Sequence, residues 1–164
     1  YAAQSTSIPG VAQRTGATTY YVEVFPQPMR ELGGKHPIFS LNPVPGALDG
    51  LVSSELLETA RQISLGLPSP ERTLVITSSA RSLTTQERMQ LADGRADSAR
   101  LLDVIKRMSR EHHVFDMGAL AQQAGTIVSA VMLGAVAGRG LFPFPKSAFE
   151  AVIGGLGSPP YRST

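Results

Sequence analysis

GALDGLVSSELLETARQISLGLPSPERTLVITSS, residues 46–79, is the stretch that decides how this chain folds. Residues 47–52 read as a short buried strand. Ser53 or Ser54 is placed to cap a helix beginning near Glu55, because a hydroxyl there accepts from the free N–H groups of a first turn. Leu56, Leu57, Ala60, Ile63 and Leu67 then recur at helical spacing until Gly66 and Pro68 stop the helix. Residues 73–77 are a second run of apolar strand formers. Strand, helix and strand in this order predict a parallel βαβ unit, since parallel neighbours need a crossover between them.

Working outward, residues 96–111 form an amphipathic helix with Leu101, Leu102, Ile105 and Met108 on one face. Arg100, Lys106, Arg107 and Arg110 lie elsewhere, and the basic C-terminal half suits the helix dipole. HHVFDM, residues 112–117, predicts a last short strand. The segment GALAQQAGTIVSAVMLGAVAGRG, residues 118–140, is the most apolar of the chain. Its uninterrupted apolar run is too short to span a bilayer, so it is expected to be a core helix. Ala130, Gly134 and Gly138 fall four apart, which predicts close packing on a neighbour. A final helix follows Pro145, and residues 156–164 are expected to be a flexible tail.

Upstream, TTYYVEVF at residues 18–25 reads as a strand, entered from a loop that carries Gly10, Gln13, Arg14 and Gly16. Residues 26–45 hold five prolines and the pair Gly33-Gly34, and predict a long surface excursion with one extended piece near residues 38–41. A loop of that length in a compact domain is functional or mobile. About four strands and four helices alternate without an internal repeat. The expectation is a three-layer α/β/α domain around a largely parallel sheet, a single domain over residues 1–155.

Composition bounds the function. The chain has 164 residues, enough for one domain with a real core. Only 17 % of them are charged, which points to a surface partly covered by a partner. A formal charge of +2 with no basic stripe argues against a nucleic-acid surface. There is no cysteine, so the chain holds no disulfide and no thiolate-ligated cluster, which fits a cytoplasmic protein.

The residues that could carry chemistry mostly read as structural. His112 and His113 are adjacent, point in different directions and form a poor metal pair, so a helix-end charge is the better reading. His36 reads as a surface residue. Asp49, Glu55 and Glu58 lack a partner His or Lys nearby in sequence, and a solvated face fits them better than an acid–base group. Ser78 and Ser79 follow a strand, where α/β proteins place ligand loops, but an ordinary turn accounts for them. The best candidate is the loop Gly10, Gln13, Arg14, Thr15 and Gly16. Its glycines permit tight turns, and Gln13 and Arg14 offer amide and guanidinium donors to a carboxylate, a phosphate or a partner's carbonyls. Ligand contact and structural loop both remain open on composition.

GVAQRTGATTYYVEVF resembles the segment of the gamma-type domain of 2-oxoacid:ferredoxin oxidoreductases in which a Gln-Arg pair between glycines leads into a strand. LDGLVSSELLETAR is similar to that domain's next βα unit. MGALAQQAGTIVSAVMLGAVAGRGLFPFPKSAFEAVI is similar to its closing part, an ML-GA-A helix with a proline turn and a short helix after it. STSIPGVAQRTGATTYYVE most resembles the beta subunits of the indolepyruvate type. These pieces cover roughly two thirds of the chain. Thr15 stands where many relatives have a second Gly, and no GxGGQG opening is present, so a first βα unit is expected to be missing.

The resemblance implies a subunit of an enzyme that decarboxylates a 2-oxoacid, here an arylpyruvate, and passes electrons to ferredoxin. It also implies that thiamine diphosphate, iron–sulfur clusters and the coenzyme A chemistry reside on a partner subunit, with no cofactor or metal on this chain. Gln13 and Arg14 would then face that partner or a ligand, and catalytic residues on this chain stay unassigned. The competing expectation is a stand-alone small-molecule-binding α/β module without redox chemistry.

Overall fold

The computed structural model describes residues 1–9, 18–80 and 98–156. Its centre is the strand anticipated at residues 73–77. Strand β3 (Gly50–Ser53), β4 (Leu74–Ser78) and β5 (Glu111–Phe115) form a parallel sheet in the order β3-β4-β5. Every residue of β4 is buried, as expected of a parallel strand covered on both faces.

Period-two alternation along β4 sorts its side chains between two helical layers. Val75 packs with Leu56 and Ile63 of helix α1 (Leu56–Ser64) and Ile105 of α2 (Ser98–Arg107). Leu74 and Ile76 point the other way, against Met117 of α3 (Met117–Gln123) and half-buried Val131, Met132 and Ala135 of α4 (Val128–Arg139). The three-layer α/β/α expectation is borne out. Helix α5 (Lys146–Leu156) closes the described chain behind Pro145.

Several boundaries differ from the sequence reading. Helix α1 has Glu55 at its N-cap without a side-chain cap bond. Ser53 Oγ is engaged next to it, donating to Glu55 O at 2.9 Å and accepting from Glu55 N at 3.2 Å. Helix α2 ends at Arg107, and Glu111 belongs to β5, because Arg110 N–H donates to Thr73 O and draws the chain into the ladder. His112 and His113 therefore sit on a strand and not at a helix end.

A larger difference lies at the front of the chain. The strand read at residues 18–25 is present but lies outside the parallel sheet: β2 (Thr18–Val24) pairs antiparallel with β1 (Ala3–Pro9) in a separate hairpin, with register from Ala3–Val24 to Pro9–Thr18. Tyr1 anchors it by an edge-to-face contact with Phe144, centroids 5.6 Å apart. Tyr21 donates to Glu23 Oε1 at 2.6 Å, and burial together with that carboxylate pushes its phenol up to about 12.

Under the sheet's C-terminal end, a buried hydroxyl pair ties α1 to β4. Thr59 Oγ1 lies 2.7 Å from Thr77 Oγ1 and 3.1 Å from Glu55 O. Replacing Thr59 by Val keeps the volume but leaves Thr77 with only its longer carbonyl contacts of 3.3 and 3.4 Å. Urea unfolding should show a loss of about 1–2 kcal/mol for Thr59→Val. Thr59→Val combined with Thr77→Val should lose less than the sum, and strict additivity would mean that the pair is not coupled.

Candidate functional site

Gly10, Gln13, Arg14, Thr15 and Gly16 lie outside the described residues. What the structure does place are the two strands that flank them, whose register ends on the Pro9–Thr18 pair.

The other residues weighed from sequence occupy separate local networks. Asp49 pairs with Arg72 at 2.8 Å. Glu58 pairs with Arg61 at 2.6 Å and accepts from Gln62. These are surface ion pairs, not a shared acid–base group. Ser78 does not follow the strand but ends β4, its Oγ accepting from Ala80 N at 3.1 Å and Met117 N at 3.3 Å, and Ser79 N donates to Phe115 O, so both are held in structural hydrogen bonds. His36 is exposed. Among the described residues, no three His, Cys, Asp or Glu side chains are grouped to hold a metal ion.

A concave surface of the described chain runs along α4 beside β5. A hollow of about 340 Å³ is lined by Ile76, His113, Phe115, Ala135, Gly138 and Arg139. A second of about 410 Å³ shares Phe115 and Ala135 and continues past Gly134, Val131 and Ala130 to Leu120. Together they make a shallow, open and largely apolar trough.

The trough exists because the segment expected to be one core helix is two helices. Gly125, at φ +62°, ends α3 in a left-handed turn, and α3 and α4 meet at 102°. Asp116 Oδ1 caps α3 by accepting from Ala119 N at 2.9 Å. Gly140, also left-handed at φ +62°, stops α4 and returns the chain so that Leu141 reaches Gly50. A Cβ on Gly50 would come within 2.8 Å of Leu141 Cδ2.

Helix α4 is not the core helix that its composition predicted. None of its residues is buried. Gly134 and Gly138 are exposed, and a Cβ on either would meet no atom within 4 Å. Gly134 and Gly138 therefore pack on nothing within the described chain, while Ala130 is half-buried; Ala130 and Gly134 line the second hollow and Gly138 the first. No single helix among the described residues is long and apolar enough to cross a membrane.

One polar cluster marks the trough's end. Glu111 and His113 share a face of β5 by their spacing of two. Glu111 Oε1 lies 2.9 Å from His113 Nε2 and also accepts from the Arg139 guanidinium at the end of α4. Sequence reasoning passed over Arg139, although it is the sole charged residue between positions 117 and 145. A lone charge in so apolar a segment is the signal that could have found it. The hydrogen bond to His113, and after it the charge of Arg139, hold the Glu111 carboxyl below its ordinary value of 4.5, against a desolvation effect of opposite sign.

A carboxyl lowered by folding stabilises the protein above its unfolded pKa, and the contribution is lost as pH falls through the folded value. Thermal melts of Glu111→Gln should therefore show a shallower loss of Tm below pH 4.5 than the parent. Parallel acid limbs would show that the link contributes nothing.

No curated protein and no solved structure matches the chain. A family description does: that of pyruvate ferredoxin/flavodoxin oxidoreductase matches residues 1–155. With that match over an α/β domain of the kind its sequence motifs anticipated, the chain belongs to the pyruvate ferredoxin/flavodoxin oxidoreductase family and is a subunit or domain of a 2-oxoacid:ferredoxin oxidoreductase.

Proposed function

We propose that this chain is the gamma-type subunit of an arylpyruvate:ferredoxin oxidoreductase and packs on the thiamine-bearing subunit through the α3–α4–α5 face. The observation that carries this reading is that α4, with one charged residue in twelve, has no buried residue. Hydrophobic burial is the main favourable term in both folding and association, so an apolar helix whose inner face is only half-buried on the sheet and whose Gly134 and Gly138 stay exposed is a surface suited to a partner. Exposed Leu120 and Ile127 extend the same character around the α3–α4 bend, and Val152 and Ile153 add to it on α5.

With no cysteine on the chain, iron–sulfur ligation falls to the partner, and thiamine diphosphate and the coenzyme A chemistry are assigned there with it. The partner then performs the decarboxylation and passes electrons to ferredoxin, while this subunit shapes the assembly. The indolepyruvate type is supported by the likeness of residues 5–23 to that branch. A stand-alone binding module fits less well, because the hollows beside α4 are shallow and open where ligand sites are enclosed.

The deciding experiment is viologen reduction driven by indolepyruvate and coenzyme A, using the thiamine-bearing subunit with and without this protein. Turnover that needs both chains supports the reading. Equal turnover without this chain overturns it. Pyruvate run in parallel tests the substrate, and a higher kcat/KM for pyruvate would overturn the arylpyruvate assignment alone.

A further inference from the structure

Residues 26–45 leave the hairpin and return to the sheet, and their backbone is held at both ends. Ser40 is the fixed point in the middle. Its N–H donates to Glu23 Oε2 at 2.7 Å, its carbonyl accepts from Gln4 Nε2 at 3.2 Å, and its hydroxyl turns the chain by bonding Asn42 O at 2.6 Å. Farther on, Gly46 N–H donates to the carbonyls of Gly66 and Leu67, both at 3.0 Å.

On this pinned backbone three apolar side chains around half-buried Phe39 and Ser40 point outward. Ile38 is 100 % exposed, Leu41 67 % and Val44 52 %. Single exposed apolar residues are ordinary on a protein surface. Three within seven positions of a clamped loop are not, because holding them in water gains the isolated chain nothing. A loop fixed in its bound shape loses little freedom on docking, which is what strengthens a peptide-like contact.

The flanks indicate the chemistry of the receptor. Within residues 26–45 the cations are Arg30 and Lys35, and the single carboxylate, Glu31, already lies 3.6 Å from Arg30. A receptor with acidic groups at its rim complements them. Two cations are too few for a lipid surface, where stable attachment takes clusters of about four to eight.

We propose that residues 37–44 are a preformed docking element that seats Ile38, Leu41 and Val44 in an apolar, acid-rimmed cleft of the thiamine-bearing subunit. This rests on the partner reading above, and it adds a second attachment point distinct from α4.

The test measures the Kd of the full chain for the purified thiamine-bearing subunit, comparing wild type with Ile38→Ser/Leu41→Ser and with Lys35→Glu. The double variant should bind at least about 30-fold more weakly with its Tm unchanged. Lys35→Glu should weaken binding more at low salt than at high salt. The single variant Ile38→Ser, altered at a wholly exposed side chain, carries the test if the double variant melts early. Unchanged affinity overturns the docking element while leaving the subunit reading intact. Wild type that does not bind at all overturns both. Wild type that sediments with phosphatidylglycerol vesicles, when Ile38→Ser/Leu41→Ser does not, overturns the proposal by assigning the loop to lipid.

Discussion

Truncation of Ile76 to Ala is expected to lower the unfolding free energy by about 3–4 kcal/mol. Ile76 lies at the middle of the central strand, 1 % exposed, in the cluster that joins the sheet to α3 and α4. Removing three methyl or methylene groups there loses their transfer energy and leaves a cavity that β4, pinned between two neighbours, cannot close. A domain of this size has about 5–15 kcal/mol in total, so the loss is a large share. Ile76 also lines the hollow under α4, so the same variant should loosen the helix that forms the trough. Urea denaturation of the isolated chain reads the first effect. A loss below about 1 kcal/mol would mean that the two layers are not held together through this residue.

The second large effect separates folding from assembly. In Gly134→Glu, the new side chain meets open space, since no atom lies within 4 Å of the point its Cβ would occupy. Replacing a glycine inside a helix favours the helix by roughly 0.5–1 kcal/mol. The isolated chain should therefore melt no earlier than the parent. Its association with the proposed thiamine-bearing partner should weaken by about 100-fold, because a carboxylate would have to be buried on the stripe proposed to meet that partner. An early melt with unchanged association would place the stripe inside this chain's own packing and remove the argument for α4 as the docking helix.

The βαβ centre was legible because two signals agreed there. Period-3.6 apolar spacing in α1 lies between runs of strand formers, and β4 is buried on both faces, the case in which an unbroken apolar run reads correctly. Strand β1 was not legible. AQSTSIP carries little strand preference of its own, and its conformation comes from pairing along β2, a contact made at the level of the hairpin. The α4 segment misled for a different reason. Apolar composition records that a surface is to be kept from water, but not whether the chain itself or another chain does so. Gly134 and Gly138 fit either case, and only their exposure distinguishes them. The break at Gly125 was equally ambiguous, since a glycine inside a helical pattern is tolerated or terminates it according to the turn that follows.

The candidate loop at positions 10–16 remains a proposal, and the trough beside α4 was not foreseen because it depends on the bend between two helices that read as one, and on Ile76 of β4 lying beside β5. The long proline-bearing excursion was legible as an excursion. The clamp on Ser40 was not, because it depends on Gln4 and Glu23 projecting from opposite strands of the hairpin at one register step.

The half-buried helix α4 also bears on supply. A chain that carries such a surface is safe only while its counterpart is at hand, since an unpaired copy offers the same apolar stripe to any other unpaired copy. On the docking proposed for α4, synthesis of this chain and its partner would have to be matched in amount and timing, and surplus copies would become substrates for chaperones and proteases. Dosage would then follow from geometry.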